Sequence, residues 1–104
     1  MILRRRRFHD LVERQLDLFE RETELLEEAA EADAAWTQAS ADESEELYGD
    51  YQLVVDAIGE RLHEIRETYA ASLDDPVAGE YRDTFDRASR KRFGRLATFL
   101  EEGS

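Results

Sequence analysis

Residues 47–69 read LYGDYQLVVDAIGERLHEIRETY, and their spacing decides the fold. Leu47, Tyr51, Val54, Val55, Ile58, Leu62, Ile65 and Tyr69 return every three or four positions. That interval gathers side chains on one face of a helix. A strand needs strict alternation, and no stretch of the chain sustains it. With Leu73 added, the stripe predicts a helix over about 42–74. Ser40 is placed to cap its first turn by accepting an orphan amide, and Glu43 completes a capping box.

The flanks follow from this helix. Pro76 is the only proline in 104 residues. Asp75-Pro76 ends one helix and opens the next, with Asp75 as cap and proline at the first helical position. Val77, Tyr81, Phe85, Ala88, Leu96, Phe99 and Leu100 mark this third helix over about 76–101. Upstream, Phe8, Val12, Leu16, Phe19, Leu26 and Ala30 mark a first helix over about 3–38. The expectation is a single all-α domain over 1–104, an antiparallel up-down-up three-helix bundle. At ~1.5 Å per residue the first helix is ~54 Å long and the third ~37 Å. The long hairpin of the first two therefore outreaches the third, leaving a tip over about 29–50.

The first helix also carries a second apolar seam. Leu11, Leu18, Leu25 and Ala32 recur every seven residues, joined by Ala29 and Trp36. They lie about 120° round from the main stripe. One neighbouring helix cannot cover both faces, so these six residues form the expected interface of a homo-oligomer, most simply a twofold dimer.

Charge divides the chain. The net charge is −12, from 26 acids against 14 bases, which argues against direct nucleic-acid binding. Residues 15–50 hold Arg21 against thirteen acids. Within them, the tip EADAAWTQASADESEELYGDY (31–51) sets Trp36, Tyr48 and Tyr51 among carboxylates. Rigid aromatic anchors in a ring of charge suit a basic protein partner, with Trp36, Tyr48, Glu45 and Glu46 as contacts. An acidic-tipped hairpin also resembles the coiled-coil finger of transcription factors that enter the RNA polymerase secondary channel. The likeness covers the hairpin alone and implies an acidic-finger regulator of a nucleic-acid machine.

Two basic clusters oppose the acids. Arg90, Lys91, Arg92 and Arg95 stand level with Asp17, Glu20, Glu22 and Glu24 on the first helix and with Asp56 and Glu60 on the second. Pairing within the chain is expected there, each exposed pair adding little energy. Arg4, Arg5, Arg6 and Arg7 lie at the other end, near Glu64, Glu67, Asp74 and Asp75. They surround the chain so fully that some are left over.

Glu60 and His63 have the Glu-x-x-His spacing that ferritin-like di-iron proteins place inside a bundle. On a wheel centred on Ile58, His63 falls near 140° and Glu60 near 200°, outside the apolar arc. A solvated helix face is the expected role, with no metal and no cofactor. The alternative is a ferritin-like metal-binding protein whose site forms between subunits from Glu60, His63 and Glu31, with Glu27 and Glu28 nearby. His9 reads as a packing or capping residue. The chain has no cysteine, and no nucleophile elbow, phosphate-binding glycine loop or H-E-x-x-H motif occurs, so no enzymatic activity is expected. No apolar run approaches the ~20 residues of a membrane span, and none follows the arginines as in a secretory signal. The sequence therefore reads as a cytoplasmic interaction or scaffold protein acting as a homo-oligomer.

Overall fold

Thr23 divides the first predicted helix in two. The computed structural model describes residues 7–97, which form α1 (His9–Glu22), α2 (Leu25–Thr37), α3 (Ala41–Ala70), α4 (Asp75–Phe93) and a 3-10 turn, Gly94–Ala97. No strand occurs among the described residues. At the break Thr23 is extended, with φ −103° and ψ 146°. Its amide still closes α1 by donating to the Phe19 carbonyl at 3.0 Å. Its hydroxyl accepts from the Leu25 amide at 3.1 Å, satisfying a donor that the start of α2 would otherwise leave unpaired. Glu27 and Glu28 in the first turn of α2 sit on the favourable side of its dipole. The extra extended residue shifts the phase of the stripe. Ala29, 2% exposed, enters the core where the unbroken pattern had placed Ala30.

The other boundaries also move. Ser40 stands at the cap of α3, but its hydroxyl donates to the Glu43 carboxylate at 3.2 Å and takes no amide, so neither side-chain-to-amide bond of the expected capping box forms. The cap of α4 is Asp74, one residue earlier than expected, which brings Asp75 and Pro76 into the first turn. α3 stops at Ala70, where the amides of Ala71, Ser72 and Leu73 fold back onto the carbonyls of Glu67, Tyr69 and Ala70. α4 stops at Gly94, whose φ of 58° and ψ of −129° suit glycine alone. Phe99 and Leu100, expected on this helix, lie outside the described residues.

The long dimension is 53 Å against 23 and 22 Å across. The core fills only part of that length. Val12, Leu16 and Phe19 of α1 meet Ile58 and Leu62 of α3 and Tyr81 and Phe85 of α4, all nearly or fully excluded from water. Each such side chain contributes about 1.5–3 kcal/mol by burial. Aromatic edges bind the lower end: Tyr81 lies 5.5 Å from Phe8, 4.8 Å from Tyr69 and 6.0 Å from Phe85 between ring centres. Phe19 meets Phe93 edge-on at 5.6 Å. Contacts between the two limbs run in opposite sequence order. Gln15 shares a groove with Thr68 and Tyr69, Glu22 with Arg61, and Ala29 with Tyr51.

Ser89 is fully buried on α4 and its hydroxyl has no hydrogen-bond partner. An unmade buried hydrogen bond costs roughly 1–3 kcal/mol. Ser89→Ala is expected to hold or raise the unfolding free energy in urea, by up to about 1 kcal/mol. Phe85→Ala, in the same core, should lose about 3–5 kcal/mol.

Candidate functional site

The upper end of the hairpin has no core of its own. No residue from Ala30 to Asp50 is buried, while Ala29 and Tyr51 on either side are. Gln38, Ala39 and Ser40 make the turn. Beneath it, Trp36 of α2 packs on Tyr48 and Tyr51 of α3, with ring centres 4.9 and 6.0 Å apart. Tyr48 and Tyr51 lie 6.3 Å apart, closing an aromatic triangle. Trp36 is half-buried and Tyr48 is 43% exposed, so the triangle presents an open edge. Thirteen acids and no lysine or arginine lie between Arg21 and Arg61. The carboxylates of Glu45 and Glu46 are exposed beside Tyr48. The expected contact residues Trp36, Tyr48, Glu45 and Glu46 thus occupy one end of the molecule.

The second seam has a mixed fate. Leu11 and Leu25 pack partly against the core and Ala29 belongs to it outright, so Ala29 has no free face to offer a partner. Trp36 is engaged by the two tyrosines. Leu18, 49% exposed, remains in the open. It lines a groove of about 360 Å³ with Phe19, Leu25 and Ile65, flanked by Glu22 and Arg61. The groove continues past Gln15 to Thr68 and Tyr69.

The lower end is held by a charge network that the sequence did not announce. Arg66, 6% exposed, donates from Nη1 to Asp86 Oδ1 at 2.7 Å and from Nε to Glu67 Oε2 at 2.9 Å. Arg82 grips the same Glu67 with two bonds of 2.9 Å. The remaining Arg66 amine, Nη2, lies 3.0 Å from His63 Nδ1. A guanidinium can only donate, so Nδ1 is the acceptor in that contact. Arg66 lies about 80° from Ile58 on the helical wheel, at the border of the apolar arc, where spacing alone does not name its partner. At the opposite edge, Arg92 of α4 bonds Asp17 at 2.8 Å and Glu20 at 3.0 Å, and also reaches Glu13. This is the basic-to-acidic pairing expected of the 90–92 cluster. Arg7 pairs with Glu80 at 3.5 Å; Arg4, Arg5 and Arg6 lie outside the described residues.

Within one chain the residues of the metal alternative stay apart. Glu60 and His63 are exposed on α3, and Glu31 lies a helix away in the tip. Among the described residues no three histidine or carboxylate groups converge as a metal site would require. Arg66 beside His63 adds a positive charge where a cation would have to bind. His9 lies on the surface beside Asp10 at 3.3 Å, neither capping nor packed. No helix among the described residues is long and apolar enough to cross a membrane. Comparison with protein-family models, curated proteins and solved structures gave no match.

Two groups make the lower end sensitive to pH from opposite sides. Bonding from Arg82, reinforced by Arg66, holds the Glu67 carboxyl below the usual carboxylate range against the cost of its partial burial. Its contribution is complete above the ordinary carboxylate range and fades as pH falls through the depressed folded value. Burial pushes the Tyr81 phenol up to about 12, although it donates to Gln15 Oε1 at 2.8 Å. Its contribution is complete below about pH 10 and fades as pH climbs toward the folded value. Glu67→Gln should therefore destabilise at pH 7 and converge on wild type near pH 3. Tyr81→Phe should flatten the loss of stability between pH 10 and 12. Urea titrations across pH measure both.

Proposed function

We propose that this chain is a non-enzymatic helical interaction or scaffold protein, acting in the cytoplasm as a homo-oligomer, whose acidic aromatic tip docks a basic protein segment. The supporting observation is the tip itself: an exposed Trp36–Tyr48 edge raised on two helices that bury nothing between Ala30 and Asp50. Aromatic rings offer large contact area at little conformational cost, and the surrounding carboxylates steer a partner of opposite sign. The up-down-up bundle with its first limb broken at Thr23 provides the lever that holds this edge away from the core. The half-exposed Leu18 and its groove favour association, because burying a leucine contributes about 1.5–3 kcal/mol.

Trp36 is the only tryptophan, so its fluorescence reports the tip directly. Titration with a synthetic arginine-rich peptide should shift its emission, and the response should vanish in 0.5 M salt, where screening shortens to a few ångströms. Glu45→Gln with Glu46→Gln should weaken the response several-fold. An equal response to an uncharged peptide of the same length would contradict the reading, as would no response.

A further inference from the structure

We propose that the aromatic edge of the tip selects arginine, whose guanidinium stacks on the outside of Trp36 and Tyr48 and bonds the Glu45 carboxylate. This rests on the docking reading above and names the side chain recognised. Tyr51, 6% exposed, forms the base of the triangle, while Tyr48, 43% exposed, and the half-buried Trp36 form its outward part. Neither Glu45 nor Glu46 makes a hydrogen bond or ion pair among the described residues. No lysine or arginine stands between Arg21 and Arg61 in the chain. Charge complementarity therefore calls for a cation at this edge.

The spacing of the rings decides which cation. A methylated ammonium caged between two rings touches each at ~3.5–4.0 Å, which holds the rings about 7–8 Å apart. Trp36 and Tyr48 lie 4.9 Å apart, and Tyr48 and Tyr51 6.3 Å. Tyr51 stacks on Trp36 at 6.0 Å with the planes 19° from parallel. The rings fill their own interior, so a cation has to lie against the outside. A guanidinium suits that place, being flat, weakly hydrated and able to stack while its N–H groups stay free at the edge. An ammonium is a strongly hydrated point charge with no plane to lay on a ring.

Glu45 is placed to complete the contact. It precedes Tyr48 by three residues on α3, which sets the two side chains ~5–6 Å apart on one face. A guanidinium within ~6 Å of the Tyr48 ring centre therefore has the Glu45 carboxylate beside its edge. Glu46 lies ~160° round α3 from Tyr48 and adds only to the field. The chain shows both halves of the arrangement elsewhere. The Arg7 guanidinium lies 5.5 Å from the centre of the Phe8 ring, and Arg82 holds the Glu67 carboxylate with two bonds of 2.9 Å.

The test titrates the whole chain with oligo-arginine, oligo-lysine and oligo-trimethyl-lysine peptides of equal length, by calorimetry in 0.1 M salt. The arginine peptide should bind at least tenfold tighter than either of the others. Tyr48→Leu, which keeps apolar bulk at a half-exposed position but has no π face, should remove most of that preference. Tyr48→Phe should keep it. Glu45→Gln and Glu46→Gln each remove one charge, yet Glu45→Gln should weaken the arginine peptide several-fold more. Equal affinity for arginine and lysine, or a tighter trimethyl-lysine complex, would overturn the selectivity and leave docking of a basic segment standing. Binding of none of the three peptides would overturn this inference and the docking reading together. A preference that survives Tyr48→Leu, or equal effects of the two glutamate variants, would overturn the placement at Tyr48 and Glu45.

Discussion

The bond from Arg66 to Asp86 constrains the rest of the structure. Both groups are nearly excluded from water and lie on different helices, 2.7 Å apart. Taking such charges out of water costs several kcal/mol per ion, on the order recovered only when the pair meets in good geometry and its remaining donors are bonded. Here they are: Nε has Glu67 and Nη2 has His63 Nδ1. A slip of α4 along α3 would leave two buried charges without each other. Removing one partner of such a pair typically costs about 3–5 kcal/mol, more than a surface pair could explain. The register it sets brings Tyr81 between Phe8 and Tyr69 and carries Arg92 to the acids of α1.

From that clamp outward, support declines. The lower half has three helices around a dry core and ion pairs on both sides of α4. Past Ala29 and Tyr51 only two helices continue, with an aromatic triangle between them and acids alone around it. Like charges there repel within a Debye length, ~8–10 Å at physiological salt. Packing support and uncompensated negative charge thus lie at opposite ends of one rod.

Much of this was legible in the residues. The stripe from Leu47 to Leu73 gave the long helix because burial on one face imposes a 3.6-residue period. The same pattern concealed the break at Thr23, because Phe19 and Leu26 are seven residues apart and the interval between them tests nothing. A threonine whose hydroxyl can serve a following amide, with Glu27 and Glu28 in the next turn, was the available signal. The aromatic edge at Trp36 and Tyr48 could be read from composition, since these rings and Tyr51 are the large aromatic side chains of the tip. The Arg66–Asp86 pair could not. A charged residue on a buried arc is normally an error of phase, and only the meeting of two helices reveals that each is the other's partner.

The account's central claim is this gradient from a clamped base to an unsupported tip, and native-state hydrogen exchange tests it most directly. It should be measured at sub-micromolar concentration, where partner contacts are minimal. Amides of α3 from Val55 to Ala70 and of α4 from Ala78 to Arg90 should exchange only through global unfolding. Those of α3 from Glu45 to Asp50 should exchange at least a hundredfold faster, through local opening about 2.7 kcal/mol less costly. Uniform protection along the whole of α3 would contradict the account.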